Sequence, residues 1–158
     1  MIPALTVGQI MTREVTSLEA DHSINLAAAV MEWRHIRHLP VVRNGKLLGL
    51  VTHRDLAKAQ AHLLALPARE LLKDGAQTLS VPVVEIMRRE IWCVTASTPV
   101  LEAARIMVDH KFGCLPVVDD QERLVGIVTQ IDLLRMLVDA LSVRRDREDT
   151  NPRIVVAP

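Results

Sequence analysis

The sequence predicts an α/β (α+β) fold made of two β-α-β-β-α repeats packed about a pseudo-two-fold axis. Three pairs of segments carry this reading. IMTREV at 10–15 returns as IMRREI at 86–91, HLPVV at 38–42 returns as CLPVV at 114–118, and GLVTHRDL at 49–56 returns as GIVTQIDL at 126–133. The first two pairs are displaced by 76 residues and the third by 77. Self-similarity at a fixed displacement marks a duplicated structural unit.

Each element follows from local pattern. Ile24, Ala27, Ala28 and Met31 recur at helical spacing, as do Val100, Ala103, Ala104 and Met107, so each set predicts a helix with one face on a core. Thr98 and Pro99 read as an N-cap followed by a first-turn proline. LPVV and KLLGLVT then predict two strands around Asn44-Gly45, a strong two-residue hairpin signal. In the second copy Asp119-Asp120 is a looser turn, and the extra residue falls there, at a turn tip where insertion costs least. HRDLAKAQAHLLAL and QIDLLRMLVDAL read as closing helices. The expected organisation is repeat 1 over 1–60, a connecting helical segment over 61–80, repeat 2 over 81–141 and a charged tail over 142–158. Pro67 is expected to bend the connecting segment and Gly75 to cap it.

Composition narrows the function. The chain has 158 residues, 49% of them hydrophobic, enough for a core of ordinary domain size. Lys plus Arg and Asp plus Glu number 19 each, so no net field draws a phosphate backbone or an anionic bilayer, and neither nucleic acid nor membrane is an expected partner. The N-terminal stretch lacks the pattern of a secretory signal, which points to the cytoplasm. Cys93 and Cys114 form no CxxC and read as small buried apolar residues. Trp33 and Trp92 read first as packing residues, and His22 and His62 as exposed helix residues. His35 and His38 lack the further ligands a metal site needs. Neither a nucleophile with its base nor a paired set of catalytic carboxylates is assembled, so the expectation is a non-enzyme that requires no cofactor.

The repeated Thr-x-x-Asp admits two readings. Thr52 with Asp55, and Thr129 with Asp132, stand where a strand gives way to a helix, and the spacing is that of a capping box. The same carboxylate at a helix start can also accept hydrogen bonds from a ribose diol. Gly49 and Gly126 would let a ligand or a neighbouring strand come close to the backbone.

The twofold pattern of IM-x-x-E, helix, LPVV and G-h-V-T-x-x-D-L (h apolar) closely resembles a pair of CBS (cystathionine β-synthase) domains, over about 8–60 and 82–140. The resemblance implies an adenosine-containing ligand such as AMP, ADP or ATP, with S-adenosylmethionine or NAD in second place, bound between the copies. It implies a homodimer as well. Carried over by position, one cleft would use Leu50, Thr52 and Asp55, with Arg37 and His38 at the phosphate end and Met87, Trp92 and Phe112 as the adenine wall. The other would use Ile127, Thr129 and Asp132, with Met11, Thr16 and Ile36 opposite. Gly113 and Cys114 stand where the first copy has Arg37 and His38, so the Asp55 cleft is expected to take the phosphorylated ligand and the Asp132 cleft to be weaker. The expected role is a stand-alone regulatory sensor signalling in trans to an unknown protein partner; the alternative is a ligand-free dimerisation scaffold with the same fold.

Overall fold

The computed structural model describes residues 5–65 and 81–142. The Pro67 bend, the Gly75 cap and the charged tail lie outside them. In chain order the elements are α1 (Val7–Ile10), β1 (Leu18–Glu19), α2 (Ile24–Arg34), β2 (His38–Arg43), β3 (Lys46–Thr52), α3 (His53–Ala65), a 3-10 turn at Val83–Glu85, α4 (Val100–His110), β4 (Cys114–Val118), β5 (Leu124–Thr129) and α5 (Gln130–Ser142).

The two copies fold alike down to their irregularities. In repeat 1, β1 runs parallel to β2 through Leu18–Val41, and β2 is antiparallel to β3 from His38–Thr52 to Arg43–Lys46. In repeat 2 a parallel bridge from Val94 to Val117 replaces β1, and β4 is antiparallel to β5 from Cys114–Thr129 to Val118–Leu124. A register shift follows Val41 in one hairpin and Val117 in the other, at equivalent positions. Asn44 (φ 53°) and Gly45 (φ 80°) both adopt positive φ, as a two-residue type I′ hairpin turn requires. In the longer turn of repeat 2, Asp119 Oδ1 accepts from the backbone N–H groups of Gln121 and Arg123, each at 2.9 Å. The two turns meet: Leu47 N–H donates to the Glu122 carbonyl and Leu124 N–H to that of Gly45, both at 3.1 Å.

Three sequence readings change. The N-cap of α4 is Pro99, without a side-chain cap; the Thr98 hydroxyl instead accepts from Thr95 N–H at 3.1 Å and closes the preceding turn. His22 lies in the turn before α2, where its Nδ1 accepts from Glu19 N–H at 3.3 Å. Trp33 is not a packing residue: it is 75% exposed, with the Arg34 guanidinium 4.6 Å from its ring centroid.

The repeats exchange their leading segments. Leu18, Ile24, Ala27, Met31, Leu39, Val41, Val51 and Leu56 form the core of repeat 1, but Val83 and Met87, from the start of repeat 2, complete it. Reciprocally, Val7 and Met11 enter the core built from Val94, Ala103, Met107, Leu115, Val117 and Val128. Backbone pairs fix each crossing. Thr12 and Ile127 exchange N–H to carbonyl bonds of 2.9 and 3.0 Å, and Arg88 and Leu50 do the same at 2.9 and 3.0 Å. Each of the four exchanged side chains is buried, worth about 1.5–3 kcal/mol apiece by area removed from water. Between the two cores Leu50, Cys114 and Ile127 form a third buried cluster with Val15 and Ile91 against it.

The repeated glycines follow from the crossing. A Cβ on Gly49 would lie 2.6 Å from the Arg88 carbonyl oxygen and 2.8 Å from Met87 Sδ, and one on Gly126 would strike Met11 Sδ, with the Thr12 carbonyl oxygen at 3.2 Å. Each glycine is the floor over which the other repeat's leading segment passes.

Candidate functional site

The Thr-x-x-Asp corners are complete capping boxes. Asp55 Oδ2 accepts from Thr52 N–H at 3.0 Å and from the Thr52 hydroxyl at 2.6 Å, while Asp55 N–H donates back to Thr52 Oγ1 at 3.3 Å. Asp132 does the same with Thr129 at 2.8, 2.7 and 3.3 Å. In both corners Oδ2 is committed to the helix start, which leaves Oδ1 to meet anything else.

The two Oδ1 atoms have different surroundings. Asp55 Oδ1 accepts from Arg88 Nη2 at 3.2 Å and Nε at 3.3 Å. Asp132 Oδ1 has Arg135 of its own helix at 4.0 Å, on a side chain that is 76% exposed. Partial burial pushes the Asp55 carboxyl up, but the Thr52 and Arg88 hydrogen bonds outweigh it and hold the group below its ordinary range.

A cleft of about 480 Å³ opens between the repeats, within the size range of small-molecule sites. Its walls include Leu50, Ile91, Trp92, Phe112, Cys114 and Pro116, and Thr52 stands at its edge. Arg37, His38, His53, Arg54, Arg88 and Lys111 give it a basic lining, against one carboxylate, Glu90, among the described lining residues. Trp92, His110 and Phe112 form an aromatic row, with ring centroids 4.5 Å apart for the first pair and 5.4 Å for the second. His38, at the start of β2, reaches across the boundary: a Cβ on Gly113 would lie 2.8 Å from its Cε1 and Nε2. Burial lowers the His38 pKa and Arg37 beside it lowers it further, with Asp55 opposing.

Among the residues expected at the first cleft, Leu50, Thr52, Arg37, His38, Trp92 and Phe112 line this space together. Asp55 borders an adjoining pocket with Ile24, Lys58, Ala59, His62, Val81 and Ile86, and Arg88 stands between it and the cleft. Met87 is buried in the first core beneath Gly49, not on the cleft wall. For the second cleft, Ile127 belongs to the buried cluster between the repeats, Met11 is in the second core, and Thr129 and Asp132 form their capping box. Thr16 is half-buried in the segment before β1. Ile36 packs against the first core and borders a separate pocket with Met31, His35 and Leu56.

Arg88, Glu90 and Ile91 also line the cleft, beyond the site residues expected from the sequence. A signal for Arg88 was present: in IMTREV against IMRREI the third position changes from Thr12 to Arg88, a neutral residue in one copy and a cation in the other. Cys114 is buried among apolar side chains, which pushes its thiol up to about 12 and leaves it inert at neutral pH. Among the described residues no three His, Cys, Asp or Glu side chains cluster as a metal site would require, and no helix is long and apolar enough to cross a membrane.

A family model of the CBS domain matches residues 7–62 and 78–139. The chain belongs to the CBS domain family. It is 34% identical over 137 residues to a CBS domain-containing protein of Dictyostelium discoideum, covering 85% of this chain and 92% of that protein. Other CBS relatives are longer. A homoserine O-acetyltransferase of Methanococcoides burtonii is 35% identical over 133 residues, and the match covers 84% of this chain but 24% of that protein. Solved CBS structures share the fold. The CBS domain pair of protein MJ0100 in complex with 5′-methylthioadenosine and S-adenosyl-L-methionine is 32% identical with a TM-score of 0.72, over 87% of this chain and 99% of that one. CBSX2 in complex with AMP is 28% identical with a TM-score of 0.71, over 89% and 98%.

Proposed function

We propose that this CBS pair is a regulatory module, not an enzyme, that binds an adenine nucleotide between its repeats and passes the resulting change to a protein partner. The observation that carries it is the cleft itself, where aromatic and apolar walls at Trp92, Phe112 and Ile91 adjoin the cations of Arg37, Arg54, Arg88 and Lys111. An aromatic face suits a base, and clustered cations suit a phosphate. Solved CBS pairs at about 30% identity hold adenosyl ligands and AMP, which supports the same ligand class here. The proposed contacts are Thr52 and Asp55 for the ribose, Trp92 and Phe112 for the base, and Arg37 and His38 for the phosphate. Thr129 and Asp132 would serve a second, weaker cleft that lacks an equivalent of Arg37. Ligand changes the angle between the halves only if it prefers one arrangement over the other.

We also propose a homodimer. α4 and α5 expose Leu101, Val108, Leu134 and Leu137 along a groove of about 660 Å³, and α5 further exposes Val138 and Leu141, whereas among its described side chains α3, the counterpart of α5 in repeat 1, exposes His53, Arg54, Lys58 and His62. The contact would join repeat 2 to repeat 2 of a second copy, and Leu134→Glu is expected to yield monomer in sedimentation equilibrium.

The competing reading, a ligand-free scaffold, is supported by the two capping boxes, since helix capping alone accounts for both Thr-x-x-Asp motifs. Thermal shift against AMP, ADP, ATP, S-adenosylmethionine and NAD separates the two. A ligand at about 100 times its dissociation constant adds roughly 2.7 kcal/mol. A Trp33→Phe variant leaves Trp92 as the reporter, and its emission is expected to change with the same ligand. A flat panel with unchanged emission refutes the nucleotide reading.

A further inference from the structure

Arg88 is the feature of the cleft that the twofold pattern does not explain. Its backbone is fixed by the two bonds to Leu50, so only the side chain can move, and that side chain is 53% exposed. Both its Nε and its Nη2 donate to Asp55 Oδ1, the oxygen left over by the capping box. The equivalent residue in the other copy is Thr12, and among the described residues the guanidinium nearest to Asp132 Oδ1 is that of Arg135, at 4.0 Å.

We infer that Arg88 is a specificity residue that bars neutral nucleosides from the Asp55 corner and admits those carrying an anionic group. The inference rests on the nucleotide reading above. A ribose diol can reach Asp55 Oδ1 only by displacing two charge-assisted donors. A nucleoside gives the freed guanidinium nothing in return, whereas a nucleoside 5′-phosphate supplies an oxyanion in the same cleft, next to Arg54 and Lys111. Arg88 therefore weakens one class of ligand and strengthens the other. Among the described residues no such competitor stands at Asp132, so the second corner discriminates less.

Calorimetry with AMP and with adenosine tests this on the full chain, on Arg88→Gln and on Arg88→Lys. In Arg88→Gln the preference for AMP over adenosine is expected to fall by about tenfold, with adenosine binding tighter than in the parent chain. Arg88→Lys, which keeps the charge but loses the two-donor geometry, is expected to fall between. Carboxyl carbon NMR of Asp55 without ligand supplies a second readout: its titration should move upward in Arg88→Gln. If the chain binds both ligands and their ratio is the same in Arg88→Gln, or if the Asp55 titration does not move, the role of Arg88 is refuted while the nucleotide reading stands. If the parent chain binds neither ligand, that reading fails and this one with it.

Discussion

Replacing Gly49 by alanine puts one methyl group where two segments cross. It would sit 2.6 Å from the Arg88 carbonyl oxygen, which belongs to the backbone and is held by Leu50 N–H at 3.0 Å, so relief requires the strand of one repeat and the leading segment of the other to part. Overpacking of this kind costs about 1–3 kcal/mol, and weakening the paired bonds between Leu50 and Arg88 adds about 0.5–1.5 kcal/mol for each one lost. With both bonds lost, the expected loss is therefore about 2–6 kcal/mol. Gly126→Ala is the internal control. Its methyl meets chiefly the flexible end of Met11, with the nearest backbone oxygen at 3.2 Å, so a rotation of the methionine absorbs much of the clash and the expected loss is about 1–2 kcal/mol. Urea denaturation of both variants, with the slope m held common, gives the two values. A Gly49→Ala loss below about 1 kcal/mol, or one smaller than that of Gly126→Ala, would show that the crossing is looser than these distances require.

Other outcomes follow from the same geometry. Asp132→Ala removes a capping box and is expected to cost about 1 kcal/mol in urea, while Asp55→Ala should cost only a few tenths more, because its partner Arg88 is half exposed. His38 has a folded pKa below its ordinary 6.5, so its contribution to stability is complete above that value and is lost as the pH falls through the folded one. Stability measured from pH 7 downward should fall less steeply in His38→Gln. His35 and Lys111 end their helices at φ 53° and 57°, a region that favours glycine. His35→Gly and Lys111→Gly are each expected to gain about 1 kcal/mol, and only Lys111→Gly should also weaken AMP binding, since Lys111 lines the cleft and His35 does not.

Local chemistry wrote most of the fold legibly. Asn44-Gly45 marked a turn whose two positive φ angles few other pairs satisfy, and the Ile24, Ala27 and Met31 spacing marked the buried face of α2. Spacing does not separate the two readings of Thr-x-x-Asp, and the protein forms the cap in full at both corners. Thr98 was misread because a threonine before a proline has the same pattern whether its hydroxyl caps the helix ahead or closes the turn behind. The site was harder to read where it depends on non-local placement. Met87 was expected on a cleft wall but lies in the core beneath Gly49, and that follows from the crossing of segments, which periodicity along one repeat does not encode. Arg88 is illegible for the same reason: the difference between Thr12 and Arg88 is visible in the sequence, but its contact with Asp55, 33 residues away, depends on the crossing.

The crossed leading segments also bear on how such a chain could arise by duplication. A solitary ancestral repeat would present its own Ile-Met stretch to a second molecule and take one back, making an intertwined pair of identical subunits. Joining the two subunits end to end retains every one of those contacts and replaces a concentration-dependent encounter by a tethered one. In a single chain the two halves can differ at single positions, as they do at Thr12 and Arg88, which no symmetric pair of identical chains could achieve.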